Sequence, residues 1–226
     1  ARLNDSSAEN TLPRGIHNAF LFAAFNALSF QIVQSSPMVL FAKSLGAKAT
    51  VLGVIAGMMP LLVISQIPAA NYINRIGFKR FVLAGWSTRV MFIFAIALVP
   101  LAGSIMDEGN QLALLIGLLF CFNLSRGISS SAWLPWITMR VPPDIRGRYL
   151  ARDAAVQNIS SFATFLVAAA LLGGVTRDWQ FSLLFAFSAT MGAVSLTFLK
   201  RIPDVPVSEE PRRSAMAVPW LEMARY

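Results

Sequence analysis

The chain has 226 residues, of which 56% are hydrophobic and only 13% are charged, and this excludes an ordinary soluble domain, which needs far more polar surface. The formal charge of +8 would suggest a nucleic-acid partner in a soluble protein, whereas in a membrane protein it reports loop topology. We therefore expect an integral membrane protein that has no nucleic-acid partner and no cofactor. We also expect no metal site, since the single cysteine, Cys121, makes no metal cluster alone.

Six apolar runs reach the roughly 20 residues that a helix needs to cross hydrocarbon. Because backbone groups in lipid must be satisfied internally, the predicted class is all-α, with six transmembrane helices. The predicted tails are residues 1–15 and the linker-like segment 200–226, and the predicted bundle covers 16–199. Within it the spans are predicted at 16–41, 50–73, 80–103, 111–139, 152–174 and 180–199.

Lys and Arg are distributed unevenly between the two sets of connections. Both tails, the 2–3 loop and the 4–5 loop together hold 14 of them, and the three opposite loops hold 3. By the positive-inside rule, both termini are predicted to face the cytoplasm, in a bacterial-type inner membrane.

Span one carries three amides, Asn26, Gln31 and Gln34, whose spacing allows them to share one stripe of the helix. Such a stripe either contacts a solute or hydrogen-bonds to a neighbouring span. Span two carries Gly53 and Gly57 as a small-xxx-small face, which packs either within this bundle or against another one.

Arg89 and Arg126 are the two basic residues within spans. Arg89 lies near the start of span three, and we expect it to snorkel toward the cytoplasmic headgroups. Arg126 lies about 22 Å from the start of span four and about 20 Å from its end, near mid-membrane, so it must face the bundle interior or a wet cavity. It either anchors an anionic solute, with Asn123 as another candidate contact, or bonds to backbone carbonyls and to hydroxyls such as those of Ser129 and Ser130.

Span four ends with Trp133 and Trp136, which an interfacial aromatic belt explains. The predicted 4–5 loop then carries basic residues for which Asp144 and Asp153 are candidate partners. The residues predicted to form this cytoplasmic loop are Arg146, Gly147, Arg148, Tyr149 and Arg152.

The stretch "ANYINRIGFKR" between spans two and three resembles the Gly-x-x-x-Asp-Arg-x-Gly-Arg-Arg loop of the major facilitator superfamily, with Ala70 for the first Gly and Asn74 for the Asp. "FNLSRGISSSAW", "VPPDIRGRYLARD" and "LKRIPDVP" are similar to later segments of that family. The resemblance implies two inverted three-helix repeats, and a cytoplasmic latch formed by Asn74, Arg75, Gly77, Lys79 and Arg80.

Members of that family have twelve spans, so this sequence is either a truncated half or a natural half that needs a partner. The resemblance implies a secondary transporter half that moves a small polar or anionic solute by alternating access with a second half. That half is a continuation of the chain, a second copy or another subunit. The alternative is a structural or assembly subunit of a larger membrane complex.

No enzyme activity is expected, because the sequence shows no His/Cys/acid cluster, phosphate loop or paired carboxylates. No Asp or Glu lies deep in a span, and Asp153 at the start of span five comes closest. If transport is proton-coupled, the proton carrier therefore belongs to the other half.

Overall fold

The computed structural model describes residues 16–174 and 177–204, and within those ranges every regular element is helical. The predicted tail at 1–15 lies outside the described residues. Of the predicted segment 200–226 only residues 200–204 are described, and the first two of these belong to the last helix. Six spans are confirmed as helices long and apolar enough to cross a membrane. The helices are α1 Ile16–Gln34, α2 Ser36–Ser44, α3 Ala49–Leu62, α4 Gln66–Ile76, α5 Phe78–Leu98, α6 Glu108–Arg140, α7 Pro143–Leu172 and α8 Asp178–Arg201.

Spans 1 and 2 are each built from two helices, α1 with α2 and α3 with α4. Pro37 sits in the first turn of α2 and separates it from α1, because a proline inside a helix removes one hydrogen bond and clashes with the preceding turn. In span 2, Pro60 precedes a 3₁₀ turn at Val63–Ser65 that joins α3 to α4. Spans 3 to 6 correspond to α5, α6, α7 and α8, and span 3 is extended by the 3₁₀ segment Val99–Ser104.

The connection between spans 2 and 3 is the single residue Gly77, which has a φ of 87° and a ψ of 148°. This backbone conformation is open to glycine and strained for residues with a Cβ. Gly77 thereby allows α4 to end at Ile76 and α5 to begin at Phe78, so the tight glycine turn expected from the sequence is present.

The six spans pack as two related sets of three. Span 1 packs mainly against spans 6 and 5, and span 4 packs mainly against spans 3 and 2. If spans 1, 2 and 3 are equated with spans 4, 5 and 6, the contacts of span 1 with spans 6 and 5 correspond to the contacts of span 4 with spans 3 and 2. The contact between spans 3 and 6 corresponds to itself. Because spans 1 and 4 run in opposite directions, the repeats are inverted, as the resemblance implies.

Two apolar clusters form the core, one toward each end of the bundle. One cluster contains Ile16, Ile73, Phe78, Val141 and Tyr149 and lies at the end that carries the 2–3 and 4–5 connections, here called the basic end. The other cluster lies toward the opposite end, and its members include Met38, Met58, Ile96, Leu115 and Phe185.

Span 5 begins earlier than predicted. The sequence predicted that span 5 begins at residue 152, but α7 begins at Pro143 and runs unbroken to Leu172. Pro143 is compatible with a first helical turn, and a single Gly147 costs only about 1 kcal/mol relative to alanine, which is too little to break a helix of 30 residues. The predicted loop residues Arg146, Gly147, Arg148, Tyr149 and Arg152 therefore lie in the first turns of span 5.

Spans 2 and 5 are much less covered than the others. Only 11% of the residues in their apolar stretches are buried, against 44% in spans 1, 3 and 6 and 33% in span 4. Gly53 and Gly57 lie on the uncovered side of span 2, where a Cβ added to either glycine would meet nothing within 4 Å. These glycines therefore do not pack within this bundle.

Span 4 approaches span 2 closely at Gly127. A Cβ built there would lie 2.3 Å from the carbonyl oxygen of Leu62 and 2.5 Å from Ser65 Oγ. Span 4 approaches span 3 at Gly85, where a Cβ would lie 2.2 Å from Cβ of Ser129. Small residues at such crossings let helix backbones approach, which is how helices gain packing energy in lipid.

We predict that Gly127→Ala lowers the free energy of unfolding by about 1–3 kcal/mol, because the added methyl overpacks the contact with the Leu62 carbonyl. Thermal unfolding in detergent, followed by circular dichroism, measures the effect. Gly117→Ala is the matched control in the same helix, since its added Cβ meets nothing within 4 Å. Equal melting temperatures for the two variants would contradict this account of the contact.

Candidate solute site

The three amides of span 1 contact three different neighbours. Asn26 Oδ1 accepts a hydrogen bond of 3.0 Å from Nε1 of Trp86 in span 3. Gln31 Oε1 accepts one of 3.4 Å from the hydroxyl of Ser161 in span 5. The structure thus does not gather the predicted stripe on one surface, and both of these amides act as links between helices.

Gln34 points to span 4, where its Nε2 donates to Asn123 Oδ1 over 3.3 Å. Asn123 Nδ2 in turn donates to the carbonyl of Leu119 over 2.9 Å. The two predicted solute contacts are therefore brought together, and they join spans 1 and 4. Gln34 is half-buried and Asn123 is buried, so the Gln34 amide is the more accessible of the two.

Arg126 is half-buried, on the turn of span 4 that follows Asn123. Its guanidinium donates no hydrogen bond to the described residues. The neighbouring hydroxyls of Ser129 and Ser130 donate instead to carbonyls of their own helix, at Ser125 and Arg126. The hydroxyls of Ser129 and Ser130 therefore do not hold the Arg126 guanidinium, contrary to what the structural alternative expected.

Arg89 does not snorkel, and that expectation was wrong. The residue is only 4% exposed, and its guanidinium carbon lies 4.8 Å from the ring centroid of Trp86 and 5.4 Å from that of Phe122. Aromatic faces attract such a cation electrostatically, which holds the side chain between spans 3 and 4. The sequence signal for this arrangement was Trp86, which lies one turn away on the same face as Arg89.

Trp136 also lies elsewhere than predicted. Trp136 is fully buried, and Trp133 packs against it at 6.0 Å, against Phe22 at 4.7 Å and against Trp86 at 5.9 Å between ring centroids. Trp136 therefore lies in the bundle interior and Trp133 is partly buried against it, so the interpretation of Trp136 as part of an interfacial belt was wrong. Indole rings pack against other aromatic rings as readily as they lie among lipid headgroups. The depth of a Trp in the sequence of a span does not distinguish these two environments.

Asp153 is buried, whereas the other Asp and Glu side chains within residues 16–174 and 177–204 are exposed. Its Oδ2 accepts a hydrogen bond of 2.6 Å from Gln157 Nε2, while Oδ1 is buried without a partner. One turn earlier, Tyr149 is buried and its ring lies 5.1 Å from that of Phe20. Sequence position identified Asp153 as the acid closest to the membrane interior, but it did not show the burial.

Arg146 contacts neither acid that the sequence offered as its partner. Its Nη2 donates to the carbonyls of Thr138 over 2.9 Å and Val141 over 3.4 Å, which are among the last carbonyls of span 4. A cation at this position satisfies acceptors that the helix itself cannot satisfy. Arg146 therefore links the first turn of span 5 to the end of span 4.

The predicted latch residues lie at the basic end, around the Gly77 turn. Asn74, Arg75 and Arg80 are exposed and Lys79 is half-buried. None of them forms an ion pair within the described part of the chain, so their side chains are available to another surface.

The end opposite the basic end carries a hollow of about 580 Å³ whose lining includes Asp107, Glu108, Gln111 and Asp178. It is remote from Arg126 and Asn123 and shares no residue with the predicted solute site. Within residues 16–174 and 177–204, no group of three His, Cys, Asp or Glu side chains is placed to hold a metal ion.

The family model described as Major Facilitator Superfamily matches residues 19–225, which covers spans 2 to 6 and nearly all of span 1. No curated protein and no solved structure matches the chain.

We predict that Asn26 and Trp86 are energetically coupled by about 0.6 kcal/mol and by no more than about 1.7 kcal/mol, the average and the maximum for hydrogen bonds between transmembrane helices. A double-mutant cycle with Asn26→Leu and Trp86→Phe, in which unfolding is followed in bicelles, measures the coupling. The control cycle pairs Asn26→Leu with Trp179→Phe, which is exposed near the opposite end and should be additive. Additivity in both cycles would mean that the Asn26 amide is free to contact a solute.

Proposed function

Because the chain belongs to the major facilitator superfamily, we propose that it is one half of a secondary transporter that moves a small polar or anionic solute by alternating access. The observation that carries this proposal is the half-buried Arg126 at mid-membrane, which has no hydrogen-bond partner among the described residues. A cation in that position is costly unless a ligand or a wet cavity solvates it. Asn123 and Gln34 supply polar groups next to it.

The second half would cover spans 2 and 5. Their exposed side chains form large apolar surfaces, and the two glycines of span 2, Gly53 and Gly57, remain without a packing partner in this bundle. Helix backbones in lipid associate at such small-residue faces. The exposed latch residues would contact the same partner at the basic end, which we assign to the cytoplasm of a bacterial-type cell on the basis of its Lys and Arg content.

A second candidate function is that of a structural subunit in a larger membrane complex. It is favoured by Asn26 and Gln31, whose amide oxygens bond to neighbouring spans instead of facing open space. Native mass spectrometry of the gently extracted protein separates the two functions. A homodimer or a twelve-span chain supports transport, whereas one six-span chain held stoichiometrically among many subunits supports the structural role.

We predict that spans 2 and 5 face protein while span 3 faces lipid. Spin labels are placed at Leu61→Cys, Ile159→Cys and Met91→Cys, which are matched because these side chains are 68%, 70% and 71% exposed in the isolated half. In nanodiscs cut from the native membrane, the oxygen accessibility of the label at 91 should be high. The oxygen accessibility of the labels at 61 and 159 should be lower. Equal oxygen accessibility at all three sites would contradict a covering second half.

Solute movement is tested with membrane vesicles from cells that express the chain, after incubation in a small-molecule extract of those cells. Mass spectrometry of the vesicle contents should find at least one polar or anionic solute enriched over vesicles without the protein. Arg126→Gln should reduce that enrichment about tenfold or more, since a hydrogen bond to a charged group contributes about 1.5–3 kcal/mol. Arg201→Gln, at the exposed basic end, is the control. Identical contents in all vesicles would refute the proposal.

A further inference from the structure

We propose that Arg89 and Arg126 together form a binding site for a small oxyanion between spans 3 and 4. The inference rests on the proposed function to the extent that Arg126 faces the solute, and it narrows the solute class to anions that present several charged oxygen atoms. Arg89 is the new member, since its sequence position near the start of span 3 suggested only a headgroup contact.

Arg89 and Arg126 both lie at the contact between spans 3 and 4. Arg89 projects from span 3 over the ring of Phe122 in span 4, and Phe122 is one turn before Arg126. Residues 122 and 126 share one face of span 4, so Arg126 lies on the face that Arg89 approaches, and two positive charges placed there repel each other. Like charges brought together in a low-dielectric interior are strongly unfavourable unless an opposite charge compensates them.

The described residues supply no such charge. Asp107, Glu108 and Asp178 lie at the end opposite the basic end, and Asp144 and Asp204 lie at the basic end itself. Asp153 is buried in span 5, where its one bonded oxygen accepts from Gln157. No carboxylate in residues 16–174 or 177–204 forms an ion pair with either arginine.

The arginine donors are unsatisfied as well. Nε of Arg89 is buried and has no hydrogen-bond acceptor. The contacts with the rings of Trp86 and Phe122 stabilise the positive charge but accept none of its N–H groups in a conventional hydrogen bond. A guanidinium presents planar, forked donors that fit the oxygen atoms of carboxylate, phosphate or sulfate. Two such groups without acceptors therefore point to an oxyanion, and the more exposed Arg126 is the side from which it would enter.

The site is tested on the purified full chain in detergent by thermal unfolding with sulfate, phosphate or succinate. Each anion is titrated at constant ionic strength against chloride, so that general screening cancels. At least one of the three should raise the melting temperature in a saturable manner, as expected for a ligand that binds only the folded state. Absence of stabilisation by all three anions overturns the proposal.

The variants Arg89→Gln and Arg126→Gln should each weaken the apparent anion affinity about tenfold or more, because each removes charged hydrogen bonds. Arg89→Lys, which keeps the charge but loses the forked donors, should fall between Arg89→Gln and the native chain. Arg201→Gln is the matched control, since its guanidinium also lies over an aromatic ring, Phe198, at 5.8 Å but is exposed.

An Arg89→Gln protein that keeps the full anion effect overturns the site. If that variant does not fold, an unchanged anion affinity in Arg89→Lys together with Arg126→Gln overturns it in the same way. The vesicle experiment is a separate test. Solute enrichment combined with unaltered anion binding in Arg89→Gln refutes this site alone, whereas anion binding without any enrichment refutes the transport function alone.

Discussion

The absence of water in the hydrocarbon core is the constraint from which the rest of this structure follows. It commits every backbone group in the spans to helical hydrogen bonds and removes the hydrophobic preference for a neighbouring helix over lipid. The bundle is therefore held by close contacts at small residues, such as Gly127 against the Leu62 carbonyl, and by a few hydrogen bonds between spans. Examples are Trp86 to Asn26 and the Ser188 hydroxyl to the Ser29 carbonyl at 2.6 Å. Each such bond joins two helices that would otherwise have little reason to prefer one rotation over another.

The same constraint explains why the fold was readily predicted from the sequence. Span number and approximate position depend on the length of apolar runs, and these are local properties. The error at the start of span 5 has a local cause too, because the polar and basic residues at 143–151 are typical of a loop but are equally compatible with a helix outside hydrocarbon. Pro142 and Pro143 mark its true beginning, since proline fits the first turn of a helix better than its interior.

The candidate site was predicted less completely, because a sequence gives the depth of a residue in the membrane but not the direction of its side chain. Arg126 and Asn123 were proposed as site residues because depth alone makes a polar residue there exceptional. Arg89 and Trp136 were misassigned, since their depth also fits the headgroup region, and only the packing of spans 3 and 4 shows that both are buried. The separation of Asn26, Gln31 and Gln34 toward three different spans likewise depends on tertiary contacts that the spacing does not contain.

Uneven burial then connects the packing to the proposed mechanism. Spans 1, 3, 4 and 6 contribute most of both apolar clusters, whereas span 2 packs mainly on span 4 and span 5 mainly on span 1. A second half that slides against spans 2 and 5 would leave the contacts among spans 1, 3, 4 and 6 undisturbed, so the proposed alternating access would require no rearrangement of the core. Arg89 and Arg126 lie at the contact of two central spans, and an anion bound there would replace their mutual repulsion with attraction. Binding would thus strengthen the contact between spans 3 and 4. The faces of spans 2 and 5 that the second half would cover would remain free to slide against it.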